Sequence, residues 1–248
     1  MNRRRMIWGV QLAIVALCAL ALKQYYSTAT ANELRWILAP TTLIVELLSG
    51  RSFVFESYTG YMSSDRTFVI AVPCAGVNFL ITAFVMLALR RLWNGRFESV
   101  SWRFLPMSMA LGYVATVIAN AMRIVIALEI QRRSVEVDGL TGNQLHRLEG
   151  IVVYFGFLML LFVVTERKNS RKMWVFPLVI YYAMTLGVPI VNGSFHRATF
   201  WEHFGFVMVI PLIIVLPILL VRFFYPQITQ TSLKNLIKPR LVIRLLSI

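Results

Sequence analysis

The chain has 248 residues, 58% of them hydrophobic and 15% charged, with a mean hydropathy of +0.69; an ordinary soluble domain is about half apolar and about a quarter charged, so that class is excluded. The formal net charge of +14 does not point to nucleic acid, because the basic residues stand in clusters between apolar runs. Such clusters set membrane topology and favour anionic lipid headgroups. Two cysteines, Cys18 and Cys74, are too few for a disulfide framework. Cys18 lies inside the first apolar run, so a bridge to Cys74 is not expected.

Arg3-Arg4-Arg5 precedes an apolar run over residues 6–22. This reads as a first membrane helix with a cytoplasmic N-terminus. Ala29-Thr30-Ala31 would permit signal cleavage, but Lys23-Gln24-Tyr25-Tyr26 separates it from the apolar run, and a retained anchor is expected. Residues 36–48 are apolar but carry Pro40, Thr41, Thr42 and Glu46. Thirteen helical residues cover about 20 Å, short of a hydrocarbon core about 30 Å thick, so the segment is expected to be interfacial or re-entrant. Residues 52–58 and 67–72 flank Thr59-Gly60 and Ser63-Ser64-Asp65 and read as a small β-hairpin outside the membrane.

Val72-Pro73-Cys74-Ala75-Gly76-Val77-Asn78-Phe79 then turns a strand-like run into an apolar helix that ends at Arg90-Arg91. Pro73 suits a helix start, which puts Cys74 on the first turn, where unpaired N–H groups attract a thiolate. Further spans are expected over 104–126, 148–165, 173–190 and 206–221. The connections at residues 90–96 and 166–172 and the tail with Lys234, Lys238, Arg240 and Arg244 are basic. Residues 241–246 read as a short amphipathic surface helix. The loops 131–145 and 191–204 are mixed. With the basic connections cytoplasmic, parity gives six spans, both termini inside, and residues 23–73 outside. The expectation is an all-α integral membrane protein, one multi-span domain over 1–248.

In that topology three polar groups share the outer leaflet. Cys74 begins one span. Arg123 lies about 28 Å along the next at 1.5 Å per residue, with Asn120 on its face. His146 opens the third, with Glu149 and Gly150 on the same side. An arginine in an apolar run is costly and is usually paired or functional. Asn78 and Asn120 also suit interhelical hydrogen bonding. A thiol nucleophile needs a proton acceptor and donor, which His supplies near neutral pH. A developing oxyanion needs a fixed positive donor, which Arg supplies without titrating.

Pro73-Cys74-Ala75-Gly76-Val77-Asn78-Phe79, Asn120-Ala121-Met122-Arg123-Ile124 and His146-Arg147-Leu148-Glu149-Gly150 resemble the three signature blocks of the exosortase/archaeosortase family, and most closely short exosortases of type K. The resemblance covers residues 38–165, with the catalytic blocks within 67–150. It implies a membrane cysteine transpeptidase or protease of the cytoplasmic (inner) membrane, with its site facing the exterior and no cofactor. Its implied partners are exported, membrane-anchored proteins with a C-terminal sorting signal: a Pro-containing motif, an apolar helix and a basic end. A lipid or glycan amine would accept the cleaved protein. By position, Cys74 is the nucleophile, Arg123 the oxyanion or substrate stabiliser and His146 the general acid/base, supported by Asn78, Asn120 and Glu149.

Two other readings compete. His196 and His203 with Glu202 share the last outer loop and offer two potential imidazole ligands for a metal, but the spacing is not His-Glu-x-x-His and no third ligand is evident nearby in sequence. A transporter or assembly subunit would use Arg123 for an anionic ligand. That reading needs a polar path through the bilayer, and the cytoplasmic halves of the spans offer no charged groups to build one.

Overall fold

A computed structural model describes residues 3–94, 101–133, 139, 141–165, 175–191, 193, 196 and 198–224. The helices are α1 (Arg3–Thr28), α2 (Arg35–Ser49), α3 (Val77–Asn94), α4 (Phe104–Arg132), α5 (Gly142–Thr165), α6 (Phe176–Tyr182), α7 (Val188–Val191) and α8 (Ala198–Phe224). A π-helical turn, Ala183–Gly187, joins α6 to α7, and a 3₁₀ turn, Val72–Ala75, precedes α3. The protein is an all-α membrane protein. Five of its described segments are long and apolar enough to cross a bilayer: Arg3–Thr28, Val72–Asn94, Phe104–Arg132, Gly142–Thr165 and Phe200–Pro217. Phe176–Val191 is apolar but shorter; residues 173 and 174 of the expected span lie outside the described residues, as do the basic connection 166–172 and the tail.

The segment beginning at Val72 is the hub. Of its apolar window 72% is buried, against 11% for α1, and α3 packs against α1, α4, α5 and α6. Close approach comes from small residues, as usual between membrane helices: a Cβ on Gly112 of α4 would lie 3.3 Å from the Phe84 backbone nitrogen. Arg90, expected in an exposed basic connection, is instead 5% exposed. Its Nη1 donates to the Phe162 carbonyl at 2.9 Å and to Thr165 Oγ1 at 2.7 Å, and its guanidinium lies 4.5 Å from the Phe162 ring centre. The last carbonyls of a helix have no partner of their own, so Arg90 closes the end of α5. One charged group thus sits buried in the half of the bundle away from Cys74, where none was expected.

α2 is a single helix of 15 residues, about 22 Å long and too short to span. Pro40, inside it, has no N–H for the carbonyl four residues back. That carbonyl belongs to Trp36, and Tyr113 Oη of α4 donates to it at 2.8 Å. The Trp36 and Tyr113 rings also stack, centres 5.7 Å apart. The proline gap in α2 is therefore the point at which it docks on α4. At its other end, the Glu46 carboxylate accepts from the Phe53 N–H at 2.7 Å and leads into the sheet.

The sheet is not the two-stranded hairpin expected. It is an antiparallel meander of β1 (Phe53–Glu56), β2 (Gly60–Ser63) and β3 (Val69–Ile70), with Phe53 opposite Ser63 and Tyr61 opposite Ile70. Residues read as turn form its middle strand because two tight turns close locally. The Thr59 N–H donates to the Glu56 carbonyl at 3.2 Å, and the Ser63 N–H to the Phe68 carbonyl at 2.9 Å. In the second turn Asp65 Oδ1 accepts from Ser63 Oγ at 2.6 Å and the Thr67 N–H at 3.2 Å. The Ser63 hydroxyl, more than any other group, holds the exposed Asp65 carboxyl down to about 2.

Candidate active site

β3 delivers the chain directly into the cysteine turn. The Cys74 N–H donates to the Ala71 carbonyl at 2.8 Å, closing the 3₁₀ turn Val72–Ala75. Gly76 follows at φ +70°, and α3 starts only at Val77. Cys74 is therefore not on the first turn of the long helix, as the sequence suggests, but on a separate turn before it. The reason is Gly76. Its left-handed backbone breaks the helix, and there is no room for a side chain: a Cβ there would stand 3.2 Å from both Asn120 Cγ and Thr116 Cγ2. Cys74 is a free, half-buried thiol, as is Cys18.

α4 and α5 bring the other groups to this turn. Asn120, fully buried, donates through Nδ2 to the Cys74 carbonyl. One turn further along α4, Arg123 Nη2 lies 2.7 Å from His146 Nε2, and Nη1 donates to Tyr154 Oη at 3.3 Å. Gly150 makes room for this arginine, since a Cβ there would meet Arg123 Nε at 3.1 Å. Tyr154 Oη donates in turn to Asn120 Oδ1 at 2.8 Å, its ring stacks on Phe79 with centres 5.1 Å apart, and the guanidinium lies 5.4 Å from the ring centre. Cys74 and Arg123 are within electrostatic range of each other. No described residue hydrogen-bonds the Cys74 sulfur.

The protonation pattern of His146 follows from its partners. Arginine only donates, so Nε2 accepts from Arg123, and the ring proton is on Nδ1. That nitrogen lies 3.2 Å from Glu149 Oε2. The Glu149 side chain is 5% exposed whereas His146 is 50% exposed, so a buried carboxylate stands behind an open imidazole. The Nδ1–Oε2 pair is close enough for charge attraction but not aligned as a hydrogen bond, and both Glu149 oxygens, like Arg123 Nε, lack a hydrogen-bond partner. Burying a polar group without such partners is costly, and the Glu149 carboxyl does so one turn along α5 from His146.

Of the six residues the sequence nominates, the structure joins five: Cys74, Asn120, Arg123, His146 and Glu149. Asn78 is the exception. It is exposed, and its Oδ1 accepts from Lys23 Nζ of α1 at 2.9 Å. Two residues that the sequence reading passes over complete the surroundings. Tyr154 has just been placed; Tyr26 of α1 donates to the Val72 carbonyl at 3.4 Å, at the start of the cysteine turn. Tyr154 does have a sequence signal, because His146, Gly150 and Tyr154 recur at intervals of four along one helical face.

Of the residues weighed as metal ligands, Glu202 is engaged elsewhere. α8 begins at Ala198, earlier than expected, so Trp201, Glu202 and His203 are helical rather than in a loop. Glu202 accepts from Gln144 Nε2 at 2.8 Å and Arg147 Nη1 at 3.2 Å, clasping α5 to α8. Among the described residues, no cluster of three His, Cys, Asp or Glu side chains is placed to hold a metal ion. The chain matches no protein-family model, no curated protein and no solved structure.

Proposed function

We propose that this membrane protein is a cysteine acyl-transfer enzyme of the exosortase type. It would cleave C-terminal sorting signals of exported proteins at the outer face of the cytoplasmic membrane and pass the product to an acceptor. The observation that carries the reading is that Arg123 bonds His146 and is linked through Tyr154 and Asn120 to the backbone of the Cys74 turn, with the buried Glu149 behind the imidazole. The resemblance of the three sequence blocks supports it. The proposed topology has six crossings, both termini cytoplasmic and the site outward; the 50% exposure of His146 fits a site open to the aqueous side.

In the proposed cycle His146 Nε2 takes the proton of the Cys74 thiol as sulfur attacks the substrate carbonyl. The oxygen of the tetrahedral intermediate is stabilised by the Arg123 guanidinium. In this structure Arg123 occupies the Nε2 lone pair, so the cycle needs the guanidinium to swing from the imidazole to the substrate oxygen. Glu149 stabilises the imidazolium that forms. The C–N bond then breaks, and the leaving amine takes the proton from Nε2, leaving a thioester on Cys74. A second nucleophile, an amine or water, gives its proton to His146, attacks the thioester and releases the sulfur.

The test is to co-express the protein with membrane-anchored proteins ending in a Pro-containing motif, an apolar helix and a basic cluster. A hydroxylamine-labile adduct on Cys74, lost together with cleavage in Cys74→Ala, is the expected result. Processing that continues at the normal rate in Cys74→Ala makes the cysteine structural. It would favour the competing reading of a transporter or assembly subunit that uses Arg123 to bind an anion.

A further inference from the structure

The hydrogen bonds around Tyr154 run in one direction only. Arg123 Nη1 can only donate, so the Tyr154 oxygen accepts and its own proton points to Asn120 Oδ1. With Oδ1 so engaged, the Asn120 amide turns its N–H toward the Cys74 carbonyl, which can only accept. Asn120 is fully buried. Each member thus fixes the orientation of the next, from the guanidinium on α4, through a hydroxyl on α5, to the backbone of the cysteine turn. Phe79 holds the tyrosine ring by stacking, and Gly76 lets Asn120 come within van der Waals contact of the turn.

We infer that Tyr154 is a positioning residue, which with Asn120 couples the placement of the Arg123 guanidinium to the placement of the Cys74 turn. Buried polar chains of this kind act as units, so losing one member disturbs the others. The consequence for turnover rests on the acyl-transfer reading, in which sulfur and guanidinium must address the two ends of one carbonyl; a misplacement of about 1 Å there costs about a hundredfold.

The test reads the thiol without any substrate, so it stands or falls apart from that reading. In a Cys18→Ala background, the rate of Cys74 alkylation by iodoacetamide at pH 7 is measured in detergent for the parent, Tyr154→Phe, Arg123→Gln and the double variant, with a thermal melt of each. Tyr154→Phe keeps the ring stack and removes only the hydroxyl. It is expected to change the rate about tenfold, the scale of one hydrogen bond to a charged group, and to add nothing in the Arg123→Gln background. An unchanged rate, or an equal effect in both backgrounds, overturns the relay. Asn120→Asp, which keeps the acceptor for Tyr154 but removes the donor to the Cys74 carbonyl, supplies a second variant if Tyr154→Phe does not fold. It too is expected to change the Cys74 alkylation rate, and an unchanged rate again overturns the proposal.

Discussion

Arg123 Nη2 and His146 Nε2 stand 2.7 Å apart, so the cation of the site is bonded to the nitrogen that would serve as its base. The same guanidinium reaches Tyr154 with its other terminal nitrogen. A planar fork spans two acceptors at once; an ammonium is a single point of charge. Arg123→Lys is therefore expected to retain the charge and lose one of the two contacts. On the acyl-transfer reading it lowers processing by about a hundredfold to a thousandfold, the range seen when one oxyanion donor is lost. The check is the rate of cleavage of a co-expressed substrate in membranes, and a lysine variant at the parent rate rejects the oxyanion role.

Gly76 and Gly150 should separate stability from site geometry. At Gly76 an alanine meets both a φ of +70° and the Asn120 and Thr116 side chains at 3.2 Å. Holding a non-glycine residue in that conformation costs on the order of 1–3 kcal/mol, so Gly76→Ala should lower the melting temperature in detergent and disturb the cysteine turn together. At Gly150 the backbone is helical and the near atom is Arg123 Nε at 3.1 Å, part of a long side chain that can shift. Gly150→Ala should melt close to the parent yet displace the guanidinium from His146, changing Cys74 alkylation. If both variants melt alike, the difference between the two packing environments is wrong.

The turn before β3 offers a pH test outside the membrane. Asp65 is held down to about 2 from an ordinary value of 3.8, with the Ser63 hydroxyl as the largest cause. For a depressed carboxyl, the stabilisation is fully present above the ordinary value and is lost as the pH falls through the folded one. The window is thus about pH 4 down to about pH 2. A ¹³C titration of the Asp65 carboxyl should give a midpoint near 2 in the parent. In Ser63→Ala it should move up toward the ordinary aspartate range, and a parent midpoint already in that range refutes the hydrogen-bonded turn.

Much of the site was legible because helical rise is a ruler. Counting 1.5 Å per residue from Phe104 sets Arg123 at the depth where it meets His146, and spacing by three places Asn120 on the same face. What counting misses is phase. Gly76 interrupts the helix between Cys74 and Asn78, so Asn78, nominated as a support of the site, instead makes an interhelical hydrogen bond to Lys23 of α1. Tyr154 was hidden for a different reason: within an apolar run a tyrosine reads as packing, and its hydroxyl acquires partners only through the pairing of α4 with α5. In the fold, the short length of α2 could be counted from the sequence, whereas its attachment to α4 through the carbonyl that Pro40 leaves free depends on a contact 77 residues away. The middle strand was lost because it begins and ends on turn formers, Gly60 and Ser63.

That short helix decides the topology, which impermeant labelling can test. α2 packs along α4 from Trp36, stacked on Tyr113, and ends at Glu46, which binds the first strand; it neither has the length to cross nor leads to a basic connection. The sheet should therefore lie on the same side as the end of α1, and the far end of α3 on the other. Ser64 and Asn94 are both exposed, so reagent access at either reports the side of the membrane and not burial. In a background with Cys18 and Cys74 replaced, Ser64→Cys in intact cells should react with a membrane-impermeant maleimide, and Asn94→Cys should react only after the membrane is opened. Labelling of Asn94→Cys but not Ser64→Cys from outside would invert the chain and place Cys74, Arg123 and His146 on the cytoplasmic face, where a reaction on exported proteins could not occur.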